Sequence, residues 1–182
     1  MITDHEKEQV MSSFKNRIVR AAKLDVSLYR EVEADTTAFG QAMMVVILSG
    51  LAAGIGSLEN GLSGAFGATL SALAGWFVWA FITYFVGTRL LPEEQTRADY
   101  GQVLRTIGFS SSPGMIRVLA IIPGIGGLIY FIASVWMLVA MVVGLREALD
   151  YQSTLRAVAV CAIGWIIQVI IVVLAAVMTG GF

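Results

Sequence analysis

The chain has little of what soluble chemistry is built from. It holds one cysteine, Cys161, and one histidine, His5, among 182 residues. A lone thiol makes no intramolecular disulfide, and with a lone imidazole it makes no zinc cluster. His5 sits in the polar N-terminal stretch, which leaves the remainder without Ser-His pairs or histidine metal centres. Charged residues make up 14% of the chain, against about 25% in an average soluble domain. The net charge of −1 gives no basic surplus for nucleic acid. No carboxylate falls inside a long apolar run, which removes an intramembrane aspartyl dyad and a carboxylate proton relay. There is no Walker A loop, and Gly124-Ile125-Gly126-Gly127 lacks the spacing and preceding strand of a dinucleotide loop. These absences point to a protein that is not an enzyme and carries no cofactor or metal.

Apolar side chains are abundant, at 57% of residues with a mean hydropathy of +0.79. A membrane-spanning helix takes about 20 apolar residues, so the chain has room for four or five spans and no large extramembrane catalytic domain. The first 37 residues are mostly polar, unlike a secretory signal, so the first span would carry membrane targeting.

The fold expected is all-α: a polytopic transmembrane bundle of five membrane segments over residues 38–182, behind an amphipathic segment over residues 1–37. The first span covers about 38–58, opened by the capping cluster Asp35-Thr36-Thr37. After the loop Glu59-Asn60-Gly61, a second covers 64–87 and is stopped by Thr88-Arg89 and Pro92. A polar stretch follows from Arg89 to Ser112, and the last span covers 157–178. The 33 residues from Pro113 to Leu145 are too few for two full crossings and too many for one. Ser112-Pro113 reads as a cap with proline at the first helical position, and Pro123-Gly124-Ile125-Gly126-Gly127 as a breaker. The region is therefore one kinked helix, or a short segment (113–122), a turn, and a return (128–145).

Charge decides between them. Short loops rich in Lys and Arg stay cytoplasmic. With a turn at Pro123, all 12 basic residues face the cytoplasm, Arg117 being counted near that face; with one kinked helix, Arg146 and Arg156 fall outside. The N-terminus is then cytoplasmic and the C-terminus periplasmic. The third segment is either a short span or re-entrant.

Thr3-Asp4-His5-Glu6 matches a capping box. Beyond it, Met11, Phe14, Ile18, Ala21 and Ala22 share one helical face, flanked by Lys15, Arg17, Arg20 and Lys23. Such a helix lies in the lipid interface or docks a soluble partner; the seven acidic residues that share residues 1–37 with six basic ones weaken attraction to anionic lipid. Gly50 and Gly54 form a GxxxG, and Gly67, Ser71 and Gly75 recur every fourth residue. These ladders suit close packing inside the bundle, with a homo-oligomer interface as the sharper reading. Arg117, the one charge in an apolar run, is expected to snorkel to nearby headgroups or to pair with Glu147 or Asp150. Cys161 reads as packing.

Several runs resemble the Yip family, small membrane proteins named for interaction with Ypt/Rab GTPases. They are Tyr100-Gly101-Gln102-Val103-Leu104-Arg105, Gly108-Phe109-Ser110-Ser111-Ser112-Pro113, the Pro123-Gly124 turn, Ser134-Val135-Trp136 and Leu145-Arg146-Glu147-Ala148-Leu149-Asp150. Tyr29-Arg30-Glu31-Val32-Glu33-Ala34-Asp35 resembles bacterial members. The resemblance covers roughly residues 25 to 178 and implies five spans with the N-terminus inside and the C-terminus outside. Eukaryotic members act in vesicle traffic and bind prenylated Rab proteins through an Asp-Leu-Tyr-Gly-Pro motif ahead of the first span. Here that motif is absent, and Asp99-Tyr100-Gly101 echoes it in a different loop.

Together these readings predict a non-enzymatic protein of the bacterial cytoplasmic membrane that binds or organises other membrane components. Its partners would be membrane lipids and a membrane protein, with no nucleic acid. Candidate contacts are Lys15, Arg17, Arg20, Lys23, Arg105, Arg117 and Arg146. The alternative is a small transporter or channel with a broken-helix site at Pro123, Gly124, Gly126 and Gly127, lined by residues such as Gln41, Thr69, Ser71, Thr83, Ser134 and Gln168.

Overall fold

The computed structural model describes residues 4–56 and 61–178. Thr3 of the expected capping box, and Glu59 and Asn60 of the first loop, lie outside them. Two helices precede the apolar part: α1 (Asp4–Ala22) and α2 (Val26–Ala34). Leu24, at φ 61°, turns the chain between them, and the Asp25 side chain caps α2 by accepting the Ser27 N–H at 2.9 Å. Phe14, Ile18 and Ala21 of α1 pack on the core. Its polar side is tied to α2, since Arg17 pairs with Glu31 at 2.8 Å and Asp35 at 2.9 Å while Arg20 pairs with Asp25 and Glu31.

Four stretches are long and apolar enough to cross a membrane: Thr36–Gly56, Thr69–Leu90, Gly126–Ala148 and Thr154–Ile171. They belong to α3 (Phe39–Gly56), α4 (Gly61–Phe85), α6 (Gly126–Ala148) and α7 (Thr154–Met178). Asp35 opens the first by accepting the Thr37 N–H at 3.0 Å. The end of α4 widens into a π turn over Val86–Leu90, where Tyr151 Oη lies 2.9 Å from the Gly87 carbonyl and 2.7 Å from that of Leu91. A hydroxyl from another element thus serves carbonyls that the helix end leaves over.

Residues 89–112 depart from the sequence reading. Their second half is α5 (Tyr100–Ser110), a helix buried without a break from Val103 to Ser110. Asp99 and Gln102 close a capping box at its start. The eye sees charge and hydroxyls here and infers a loop, yet each polar group finds a partner inside. Arg105 Nε donates to the Val32 carbonyl at 2.9 Å and its Nη2 to that of Glu33, so the cation caps the last turn of α2. Thr106 bonds the Gln102 carbonyl at 3.0 Å, Ser110 bonds that of Ala140 at 3.1 Å, and Trp76 Nε1 donates to Leu104 at 2.9 Å.

The expected segment 113–122 is a 3-10 segment, Ser112–Ile121, that continues α5 directly. Together the two run beside α3 in the same direction: Gly108 lies against Ala42, Gly114 against Ser49, and the Arg117 carbonyl against Gly56. After the turn at Gly124 (φ +85°), α6 returns alongside, with Ala120 by Gly126, Gly114 by Met137 and Ser110 by Ala140. The core lies at the α2, α5 and α6 end, around Tyr29, Val103, Phe109 and Leu145.

The two small-residue ladders behave differently. Gly50 is buried, and a Cβ there would stand 3.0 Å from the Thr69 Cα, so the first ladder packs inside. A Cβ on Gly67 or Gly75 would meet nothing within 4 Å, and Ser71 is exposed. The second ladder therefore faces away from the bundle, against the expectation of internal packing. This contrast sets a test. A Cβ on Gly114 would fall 2.1 Å from Ser49 Oγ and 2.7 Å from Met137 Sδ, and overpacking of this kind costs about 1–3 kcal/mol. Gly114→Ala should lower the thermal unfolding midpoint in detergent, while Gly75→Ala leaves it level or slightly raised; equal effects would contradict the placement of the 3-10 segment.

Candidate functional site

One end of the bundle collects charge from segments far apart in sequence. Here α2, the linker before α5, the end of α6 and the turn into α7 interlock. Arg30 Nε reaches Glu147 Oε2 at 2.6 Å, where Glu147 is 7% exposed and Arg30 70%. Gln102 donates to Glu33 at 3.2 Å and Gln95 to the Asp150 carbonyl at 3.1 Å. Glu93 accepts the Gln152 N–H at 2.9 Å and faces Arg156 at 3.4 Å, while Arg156 also donates to the Pro92 carbonyl. Hydrogen bonds from the Gln152 and Ser153 N–H groups, with further help from Gln95 and Arg156, hold the Glu93 carboxyl below its ordinary range.

Between these segments opens a polar crevice of about 440 Å³, lined by Arg30, Glu33, Arg146, Glu147, Asp150 and Gln152 among others. Three carboxylates face two guanidinium groups. Burial, with the carboxylates of Asp150 and Glu147 next, pushes the Glu33 carboxyl up to about 7; Arg105 works in the opposite direction. The crevice therefore changes charge near neutral pH. Among the described residues, no three His, Cys, Asp or Glu side chains are placed to hold a metal ion.

The candidate residues from the sequence scatter on this frame. Lys15 and Lys23 are exposed. Arg17 and Arg20 are engaged with α2, and Arg105, 6% exposed, is enclosed as the α2 cap. Arg146 is half-buried at the crevice with Nε on the Tyr151 carbonyl at 3.2 Å. Arg117 is elsewhere. It donates to Ser134 Oγ at 3.1 Å and sits 5.6 Å from the Tyr130 ring centre. From Ser134 to Glu147 along α6 is about 20 Å at 1.5 Å per residue, so neither expected partner, Glu147 nor Asp150, is in reach and Arg117 belongs to the other end. Pro123, Gly124 and Gly127 are exposed at the turn and Gly126 is half-buried. Of the polar residues that a transport path would use, Gln41 accepts from Arg17 and Thr83 bonds back to its own helix.

Sequence reasoning missed Arg30, Glu33, Asp150 and Gln152 as parts of one site. Their signal was present in the runs Tyr29–Asp35 and Leu145–Asp150, whose mixed charge flanks buried apolar positions (Leu28, Tyr29, Val32, Leu145, Ala148 and Leu149).

Apolar helices of spanning length, bundled with their charge at one end, define a multi-pass helical membrane protein. The chain belongs to the Yip family: the model of the Yip1 domain matches residues 28–176. No curated protein and no solved structure matches it.

The crevice yields a pH prediction. A carboxyl whose folded-state value lies above its unfolded one binds more protons when folded, so its stabilising contribution is full below the ordinary carboxylate range and is lost as pH rises through about 7. The wild-type midpoint should fall over that window and Glu33→Gln should flatten the fall. Identical slopes in the two proteins would contradict the arrangement.

Proposed function

We propose that this chain is a non-enzymatic protein of the bacterial cytoplasmic membrane that binds or organises other membrane components through the charged end of its bundle. The observation that carries the reading is the interlocking of three distant polar stretches on one face: α1 with α2, the linker up to about Gly101, and the turn 149–153. On these stretches Lys15, Lys23, Arg97 and Glu94 are exposed, and α2, the end of α6 and the turn enclose a crevice of mixed sign. Mixed-sign rims favour selective, salt-sensitive contact over bulk attraction to lipid. The absence of an Asp-Leu-Tyr-Gly-Pro motif points to a partner other than a prenylated GTPase.

The membrane topology in this proposal has five crossings. The course of α5 and the 3-10 segment alongside α3 supports a full third crossing, α in its first half and 3-10 in its second. With the charged end placed in the cytoplasm by the positive-inside rule, the N-terminus is inside, the C-terminus is periplasmic and α1 lies at the cytoplasmic interface. Nine Arg against three Lys, a usage common in GC-rich bacterial genomes, and the resemblance of Tyr29–Asp35 to bacterial members support the bacterial assignment. The transporter reading gains no comparable support, because its turn is exposed and its polar residues do not converge.

Two measurements test this. In a Cys161→Ser background, Gly124→Cys should react with a membrane-impermeant maleimide added to the periplasmic side, and labelling only after permeabilisation would overturn the topology. Crosslinking with mass spectrometry in native membranes should recover a stoichiometric partner from the wild type and about tenfold less from Lys23→Glu/Arg97→Glu. A solitary monomer in both would overturn the binding role.

A further inference from the structure

A second cavity, of about 850 Å³, lies between α6 and α7 and reaches inward to Trp79 of α4 and Ile107 of α5. Its size is within the range of about 300–1,000 Å³ that small-molecule sites occupy. It is elongated. Along α6 its wall runs from Ser134 to Val143 and along α7 from Thr154 to Trp165, spans of about 14 and 17 Å by helical rise. The wall is almost wholly apolar, with methionine, valine and tryptophan side chains and a few hydroxyls, and its one formal charge is Arg117.

Among the described residues nothing neutralises Arg117. Its contacts are the Ser134 hydroxyl and the Tyr130 ring, its Nε is buried without a hydrogen-bond partner, and among the described residues it makes no ion pair. Its partner Ser134 stands about 21 Å along α6 from Ala148 and about 12 Å from Gly126, nearer the end that carries the turn. A half-buried guanidinium on an apolar, membrane-facing groove calls for an anion. The long greasy groove that starts at it calls for hydrocarbon. One molecule abundant in a membrane supplies both.

We propose that the α6–α7 cavity holds one anionic phospholipid, its phosphate on Arg117 and an acyl chain laid along the groove toward Thr154. A phosphodiester matches the planar fork of a guanidinium and accepts the Arg117 N–H groups that Ser134 does not engage, while the Ser134 and Tyr130 hydroxyls donate to the Tyr130 and Ala53 carbonyls. The Ser134 hydroxyl lines the cavity beside it. The lipid fills a gap between α6 and α7, which the protein alone leaves unpacked, and so joins α7 to the bundle. The cation of this site contacts α6 about 20 Å from the crevice, although the groove's far end at Val143 and Thr154 approaches it, and the site does not depend on the partner-binding role proposed for the crevice.

Native mass spectrometry of the full chain released from nanodiscs of mixed phosphatidylglycerol and phosphatidylcholine tests this. One phosphatidylglycerol should remain per chain. Arg117→Gln should retain about tenfold less or lower, the loss of a charge-assisted pair, and Arg117→Lys should retain most of it. Ala162→Trp, which fills the groove with Arg117 intact, should also release the lipid, and it decides the matter if Arg117→Gln does not fold. Glu59→Gln should leave retention unchanged; a rise would show instead that the guanidinium serves that carboxylate in the wild type and would overturn the proposal. Equal retention of the zwitterionic lipid, undiminished retention in Arg117→Gln, or displacement by inorganic phosphate alone, which would mark a free-anion site, would each overturn the proposal.

Discussion

Ions and unpaired backbone groups are costly in hydrocarbon, and the arrangement of this chain follows from where each one is allowed to be. The long helices satisfy their own backbones and carry almost no charge across their length. Charge gathers where the helices end, and there it is used. Arg17 and Arg20 bind α1 to α2, Arg30 binds α2 to α6, and Glu93 binds the linker before α5 to the start of α7. Apolar packing in lipid has no hydrophobic drive between helices, so these polar ties and a few close glycine contacts set the register.

Arg105 shows how a charge enters the interior under that constraint. Its guanidinium meets the Val32 and Glu33 carbonyls, which the end of α2 would otherwise leave unpaired. Two costs cancel, and a helix that looks too polar to bury is buried. Among the described residues Arg117 has no such arrangement, and the proposed lipid phosphate would be its complement there. The two ends of the molecule thus differ in kind: one is a protein-built network with a titratable crevice, the other a single cation at the head of an apolar groove.

The crevice joins residues from α2, α6 and the turn before α7, the same runs that carry the resemblance to the Yip family. Glu33 lies among Glu147 and Asp150 with Arg30 and Arg146 close by, so any occupant or partner would sense pH near neutrality through it.

Spanning helices were legible in the residues alone, because hydrocarbon thickness and uninterrupted apolar length set them without reference to neighbours. So were the end-loaded charge and the turn at Pro123-Gly124. Three things were not. The burial of α5 depends on carbonyls of α2, some 70 residues earlier, that no local pattern announces. The 3-10 course of Ser112–Ile121 depends on close approach to Ser49 and Met137, a matter of space rather than propensity. The placement of Arg117 depends on how far that tighter winding carries the chain along α3. Periodicity and composition read one segment at a time, whereas pairing of buried polar groups and backbone-to-backbone approach exist only between segments, and only the folded bundle could settle them.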